Sequence, residues 1–199
     1  MHMKTQSARY RTYYHNAESA AEAELYEQRR RLKSSHATPE LLDLYCSDPD
    51  LATRIIVARH ANTSLDTLKK MVRDENDKVC NIIALRPEAT ADMLHNLVKH
   101  SDSVFVWRNA ARHANTSAVT LEILAKKDDR TVLFGMLKNR NTPRDTIALF
   151  IEHEDVSLRK TAQKRLAEPV EPVATAVRKT AVKKQPMETS VTRGSVFVT

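Results

Sequence analysis

Glycine is almost missing from this chain, at 2 residues in 199. Tight hairpin turns draw on glycine for their left-handed backbone, so a fold built of many hairpins is argued against. Cysteine is equally scarce at 2. Cys46 and Cys80 make no disulfide framework, and both read as small buried core residues. The single tryptophan, Trp107, reads as packing. No run of 18 apolar residues occurs, so no membrane span is expected. The N-terminus carries no apolar signal stretch, and a cytoplasmic location is the expectation. Metalloprotease, phosphate-loop and nucleophile-elbow motifs are absent as well. The 8 histidines form no ligand cluster; His95 and His100, for example, are ill placed for one helical face. The expectation is therefore no enzyme, no metal and no cofactor.

What the chain does have is repetition. Residues 58–64 read ARHANTS, and residues 111–117 read ARHANTS again. Intermediate copies appear once Ala37, Thr63, Ala89, Thr116 and Thr142 are aligned, at intervals of 26, 26, 27 and 26 residues. Five residues after each anchor stands Leu42, Leu68, Leu94, Leu121 or Ile147. Eight residues after it stands Tyr45, Met71, Leu97, Leu124 or Phe150. A second apolar run follows about a dozen residues later: LATRIIVA, KVCNIIAL, VFVWRNAA, TVLFGML and LRKTAQKRL. Both runs favour three- and four-residue apolar spacing, which is helical.

Start signals agree. Thr38-Pro39 and Thr142-Pro143 place a capping hydroxyl before a helix-opening proline. Thr63 with Asp66, and Thr142 with Asp145, have the spacing of a capping box. Asp48-Pro49 repeats the device at a second helix. A fixed period of this length is the signature of a solenoid, because so short a unit cannot bury its apolar side alone.

The phrases VARHANTSLDTLKKMVRDENDKV and AARHANTSAVTLEILAKKDDRTV resemble units of the leucine-rich repeat variant family, a HEAT-like α-solenoid class. The resemblance covers roughly residues 36–166. It implies alternating α- and 3₁₀-helices in a right-handed superhelix, and no single activity. The family's founding type resembles an iron–sulfur protein with an N-terminal cysteine cluster. Two dispersed cysteines cannot supply four thiolates, so that cofactor is not carried over. The expected fold is all-α: a right-handed α-solenoid of about five short two-helix repeats with an N-terminal capping helix.

The chain divides into an arm and capping helix over 1–35, repeats over 36–166 and a flexible basic tail over 167–199. Their net charges are +3, +2 and +2, so the repeats taken together are nearly neutral. Residues 16–33 read as a helix with acids early and arginines late, as the helix dipole prefers, with Ala17, Ala20, Ala21 and Leu25 on one face. The arm before it interleaves Arg9, Tyr10, Arg11, Tyr13 and Tyr14, a pattern that stacks on bases or anchors an arm. The tail, with its prolines and no helical face, is expected to order only on a partner.

Two readings of the repeated phrase stand side by side. In the first, one turn is made again and again: Arg meets the last carbonyls of a helix, Asn bonds its own backbone, and Thr caps the next helix. In the second, Arg59, Arg86, Arg112 and Arg140 form a column beside His60 and His113. Asn62, Asn115 and Asn141 form a second column, and the edge binds an anion. The opposite edge is acidic, with Asp48, Asp50, Asp74, Glu75, Asp77, Asp102, Asp128 and Asp129. The function expected first is a non-catalytic adaptor or regulator that holds a protein partner on the repeat surface. The alternative is a protein that binds the DNA or RNA backbone. No small-molecule substrate and no membrane partner are expected.

Overall fold

The computed structural model describes residues 17–169, and every regular element among them is an α-helix. The helices are α1 Ala17–Leu32, α2 Pro39–Leu44, α3 Leu51–Arg59, α4 Leu65–Met71, α5 Asp77–Ala84, α6 Ala91–His100, α7 Val104–Arg112, α8 Ala118–Leu124, α9 Arg130–Lys138, α10 Arg144–Ala148 and α11 Val156–Ala167. The 3₁₀-helices that the family resemblance implies are not among them, because the short even-numbered helices keep α geometry. No helix among the described residues is long and apolar enough to cross a membrane. The arm residues Arg9, Tyr10, Arg11, Tyr13 and Tyr14, and the tail from residue 170, lie outside the described residues.

The aligned apolar positions are the core. The anchors Ala37, Thr63, Ala89, Thr116 and Thr142 are all buried, as are Leu42, Leu68, Leu94, Leu121 and Ile147. From the second run, Val57, Ile83, Ala110, Met136 and Ala162 are fully buried. Odd helices pack on odd: α1 on α3, α3 on α5, α5 on α7, α7 on α9, α9 on α11. Of the even helices, α6 packs on α8.

Helix starts depart from the expected scheme in an informative way. Thr38 does cap α2, with Pro39 inside its first turn. In the repeated phrase, however, the caps are Ser64 and Ser117, one residue after the threonines. The threonines turn inward: Thr63, Thr116 and Thr142 donate Oγ1 to the carbonyls of Val57, Ala110 and Met136, six residues back, at 2.6, 2.5 and 2.6 Å. A buried hydroxyl needs a partner, and each of these last-turn carbonyls, already holding the N–H three residues on, has a second lone pair to offer. Pro143, not Thr142, therefore precedes α10, with no side-chain cap. At Asp48-Pro49 the cap is Asp50, and Asp48 holds the Asp50 N–H at 2.8 Å.

The first helix also turns a different side inward from the one its alanines predict. Ala20 and Ala21 are exposed, while Ala23 and Leu32 are buried. Polar groups account for this orientation. Gln28 donates to Asp48 at 3.2 Å, and Arg29 pairs with Asp50 at 2.7 Å, so the second half of α1 is fastened to the start of α3. Both cysteines are buried. Trp107 packs against the core and donates its indole N–H to the Ser101 carbonyl at 2.8 Å.

Candidate anion-binding face

Most of the ARHANTS phrase is used up inside the molecule. His60 Nε2 donates to the Ser34 carbonyl at 3.0 Å, and His60 Nδ1 accepts the Asn62 N–H at 3.1 Å. The two contacts together require the tautomer with hydrogen on Nε2. His113 repeats the arrangement with the Arg86 carbonyl at 2.9 Å and the Asn115 N–H at 3.1 Å. Between them in register stands Arg86, whose Nη1 donates to the carbonyls of Ala58 and His60 at 2.9 and 3.0 Å. Asn139 takes the next position and reaches Ala111 and His113 at 2.9 Å each. Arg165 takes the last and reaches Leu137 and Asn139 at 3.1 and 3.2 Å.

The result is a ladder in which each side chain binds the backbone one unit earlier. A second ladder runs beside it. Asn62 donates to Ser35 and Ala37, Asn115 to Pro87 and Ala89, and Asn141 to Ala114 and Thr116, at 2.7–3.3 Å. Glu88 occupies the corresponding place between Asn62 and Asn115, and it receives the Arg86 guanidinium instead, with Nε at 2.7 Å.

The four arginines of the expected column are thus not equivalent. Arg86 belongs to the ladder and is largely covered. Arg140 is exposed one residue after it, in the turn. Arg59 and Arg112 share a different register, the last residue of an odd helix. Continuing that register in steps of 26 or 27 residues gives Lys33, Arg59, Leu85, Arg112, Lys138 and Lys164, all exposed. Among the described residues none of these five cations enters an ion pair. The Arg112 stem lies in the notch left by Gly135, where an added Cβ would stand 3.1 Å from Arg112 Cγ. Lysines 33, 138 and 164 carry no motif of their own; only the register finds them.

The charge of these helices is one-sided. α3, α7, α9 and α11 contain no acid and α5 contains only Asp77, whereas α1 carries Glu18, Glu22, Glu24 and Glu27. The even helices carry Glu40, Asp43, Asp66, Asp92, Glu122 and Asp145. The near-neutral sum of the repeats therefore conceals a separation between two layers. Helix dipoles favour a cation at each C-terminus, which accounts for part of the register. They do not account for the missing acids.

The acids of the opposite edge largely serve the chain itself. Asp50, Asp129 and Asp155 cap α3, α9 and α11. Burial works to raise the Asp50 carboxyl, but bonds from Thr53 and Arg29 outweigh it and hold the group at about 2. Arg130 beside Asp155, helped by the N–H groups of Leu158 and Ser157, holds that carboxyl at about 2 as well. Asp74 is tied to the buried Arg54 at 2.7 Å. Arg54, absent from any motif, also donates to the Asp48 carbonyl at 2.8 Å.

The face is not purely polar. Phe105 is 64% exposed on α7, with the Arg108 guanidinium 5.5 Å from its ring centre. Lys138 Nζ stands 4.2 Å from the centre of the Phe134 ring. A shallow cleft of about 540 Å³ opens beside Arg59, Asn81, Ile82, Leu85 and Pro87. Among the described residues no group of three or more His, Cys, Asp or Glu side chains is placed to hold a metal ion. No family model, curated protein or solved structure matches this chain.

Proposed function

We propose that the chain is a non-catalytic adaptor or regulator of the cytoplasm, built as an α-solenoid of stacked two-helix units like those of the leucine-rich repeat variant family. Its odd-numbered helices present a face that holds an anionic macromolecule. One observation carries this reading: exposed cations stand at five of the six positions of one register, and the odd helices of the repeats, α3 to α11, hold a single acid, Asp77. Other arginines are paired with carboxylates, as in Arg29–Asp50, Arg54–Asp74 and Arg130–Asp155. Like charges left side by side repel, and a polyanion relieves that repulsion while releasing its own counterions. Packed helices are about 8–10 Å apart, close to the screening length at physiological salt. Successive cations along the register therefore act on one ligand together.

Two kinds of macromolecule carry such a charge, an acidic protein surface and a nucleic acid. The test common to both is calorimetric titration with heparin and with polyglutamate. The wild type is compared with Arg59→Glu/Arg112→Glu/Lys138→Glu, and with Lys69→Glu as a control on the even side. Binding by wild type and control that the triple variant loses, with its thermal unfolding unchanged, is the expected result. Equal binding by all three proteins, or none by the wild type, defeats the reading.

A further inference from the structure

Resting on that reading, we infer that the ligand of the odd-helix face is a single-stranded nucleic acid, whose bases are taken by the apolar groups set among the cations. A duplex offers phosphates on its outside and keeps its bases stacked within. It gives no use to Phe105, which is more than half exposed on the same helix as Arg108 and Arg112. Exposing a large apolar ring to water without a role is unfavourable, and rings beside cations are the platform on which unpaired bases stack.

Phe105 with Arg108 is the exposed ring of the face; on the neighbouring helix Phe134 is half-buried against the core with Lys138 over its ring. Where the cation register is interrupted, at Leu85, the cleft takes its place, and Leu85 is 60% exposed. Groups that could take bases therefore stand among the cations along one face. The amides of Asn81 and Asn109 meet between α5 and α7, Asn109 Nδ2 donating to Asn81 Oδ1 at 2.7 Å. Each amide keeps its other group outside this bond, a donor on Asn81 and an acceptor on Asn109. Such a pair suits the edge of an unstacked base. An acidic protein surface would satisfy the cations but makes no particular demand for flat rings flanked by charge.

The experiment is fluorescence anisotropy with labelled oligo-dT, oligo-U and duplex DNA of equal length and with labelled polyglutamate, titrated across salt. The proteins are the full chain, its Phe105→Ala variant and the triple glutamate variant. Expected are tighter binding of a single strand than of the duplex and a steep fall with salt. Phe105→Ala should weaken the single strand about fivefold or more, the lower end of one stacked base, and leave the weak duplex binding unchanged. The dT and U arms separate DNA from RNA. Duplex bound as tightly as single strand, or no effect of Phe105→Ala, overturns the inference. Polyglutamate bound with the oligonucleotides rejected also overturns it, while keeping the anion-binding face. Failure of every anion removes both.

Discussion

The carbonyl of His113 accepts a hydrogen bond from Asn139 Nδ2 at 2.9 Å, 26 residues downstream, while the His113 ring reaches 27 residues upstream to the carbonyl of Arg86. Each residue of this register thus serves the unit on either side of it. Five different placements use three chemistries, imidazole, guanidinium and amide, for one task. The carbonyls at the ends of odd helices lack partners within their own helix, and a donor from the next unit fills the gap.

Asn139→Ala should therefore destabilise the fold. Asn139 is buried and its amide satisfies two carbonyls. Its removal leaves the Ala111 carbonyl unpaired and the His113 carbonyl with only the Thr116 N–H, at a cost of about 1–3 kcal/mol, read as a drop in the urea midpoint.

Thr116→Val and Ser117→Ala separate the inward bond from the cap. Valine matches threonine in shape but removes one of the two donors to the Ala110 carbonyl, which keeps the His113 N–H, at a cost of about 1 kcal/mol. Loss of the Ser117 cap costs about 1 kcal/mol. Chemical denaturation should show a loss of about this size in each variant. An unchanged midpoint for Ser117→Ala beside a loss for Thr116→Val would restore threonine as the cap.

Acid should weaken the fold through Asp50 and Asp155. Both carboxyls are held at about 2 in the folded chain, below the ordinary aspartate value of 3.8. A carboxyl lowered on folding favours the folded state above its unfolded value. That contribution is lost as pH falls, here between about 4 and about 2. Asp155→Asn should shrink the pH dependence of the denaturation midpoint in that window and leave it unchanged near neutral pH.

Cys80 should resist alkylation in the folded chain. Burial, then the nearby Asp74 and Asp77, pushes its thiol up to about 11, and the thiol faces the Asp74 carbonyl at 3.4 Å. Thiolate is the reactive form, so labelling with iodoacetamide at neutral pH should follow unfolding. Rapid labelling under native conditions would contradict the packing around α5.

Much of this fold was legible in the spacing. The anchors and the residues five and eight beyond them are core positions, with Tyr45 alone half-buried, because a two-helix unit repeats its burial pattern with its length. The caps were misread by one residue at Thr63 and Thr116, since a threonine beside a serine gives no sign of which hydroxyl turns inward. The candidate site was legible only in part. Arg59, Arg112 and Arg86 look alike in sequence, but one residue of register separates an exposed helix end from a ladder rung. Matching by residue type joined Arg86 to the column, whereas counting from Arg59 leads instead to Leu85, Lys138 and Lys164. Glu88 opposite Arg86 was the available signal, because it replaces the asparagine of the neighbouring units.

The most direct measurement sets two neighbouring residues against each other. Asn139 is a buried rung and Lys138, next to it, is an exposed cation of the binding register. Thermal unfolding and oligo-dT binding would be measured on Asn139→Ala and Lys138→Glu, the binding well below each variant's unfolding temperature. The account predicts that Asn139→Ala lowers the unfolding temperature and keeps affinity, while Lys138→Glu keeps the unfolding temperature and lowers affinity. Affinity lost with Asn139→Ala and retained with Lys138→Glu would make the ladder the binding edge and contradict the assignment.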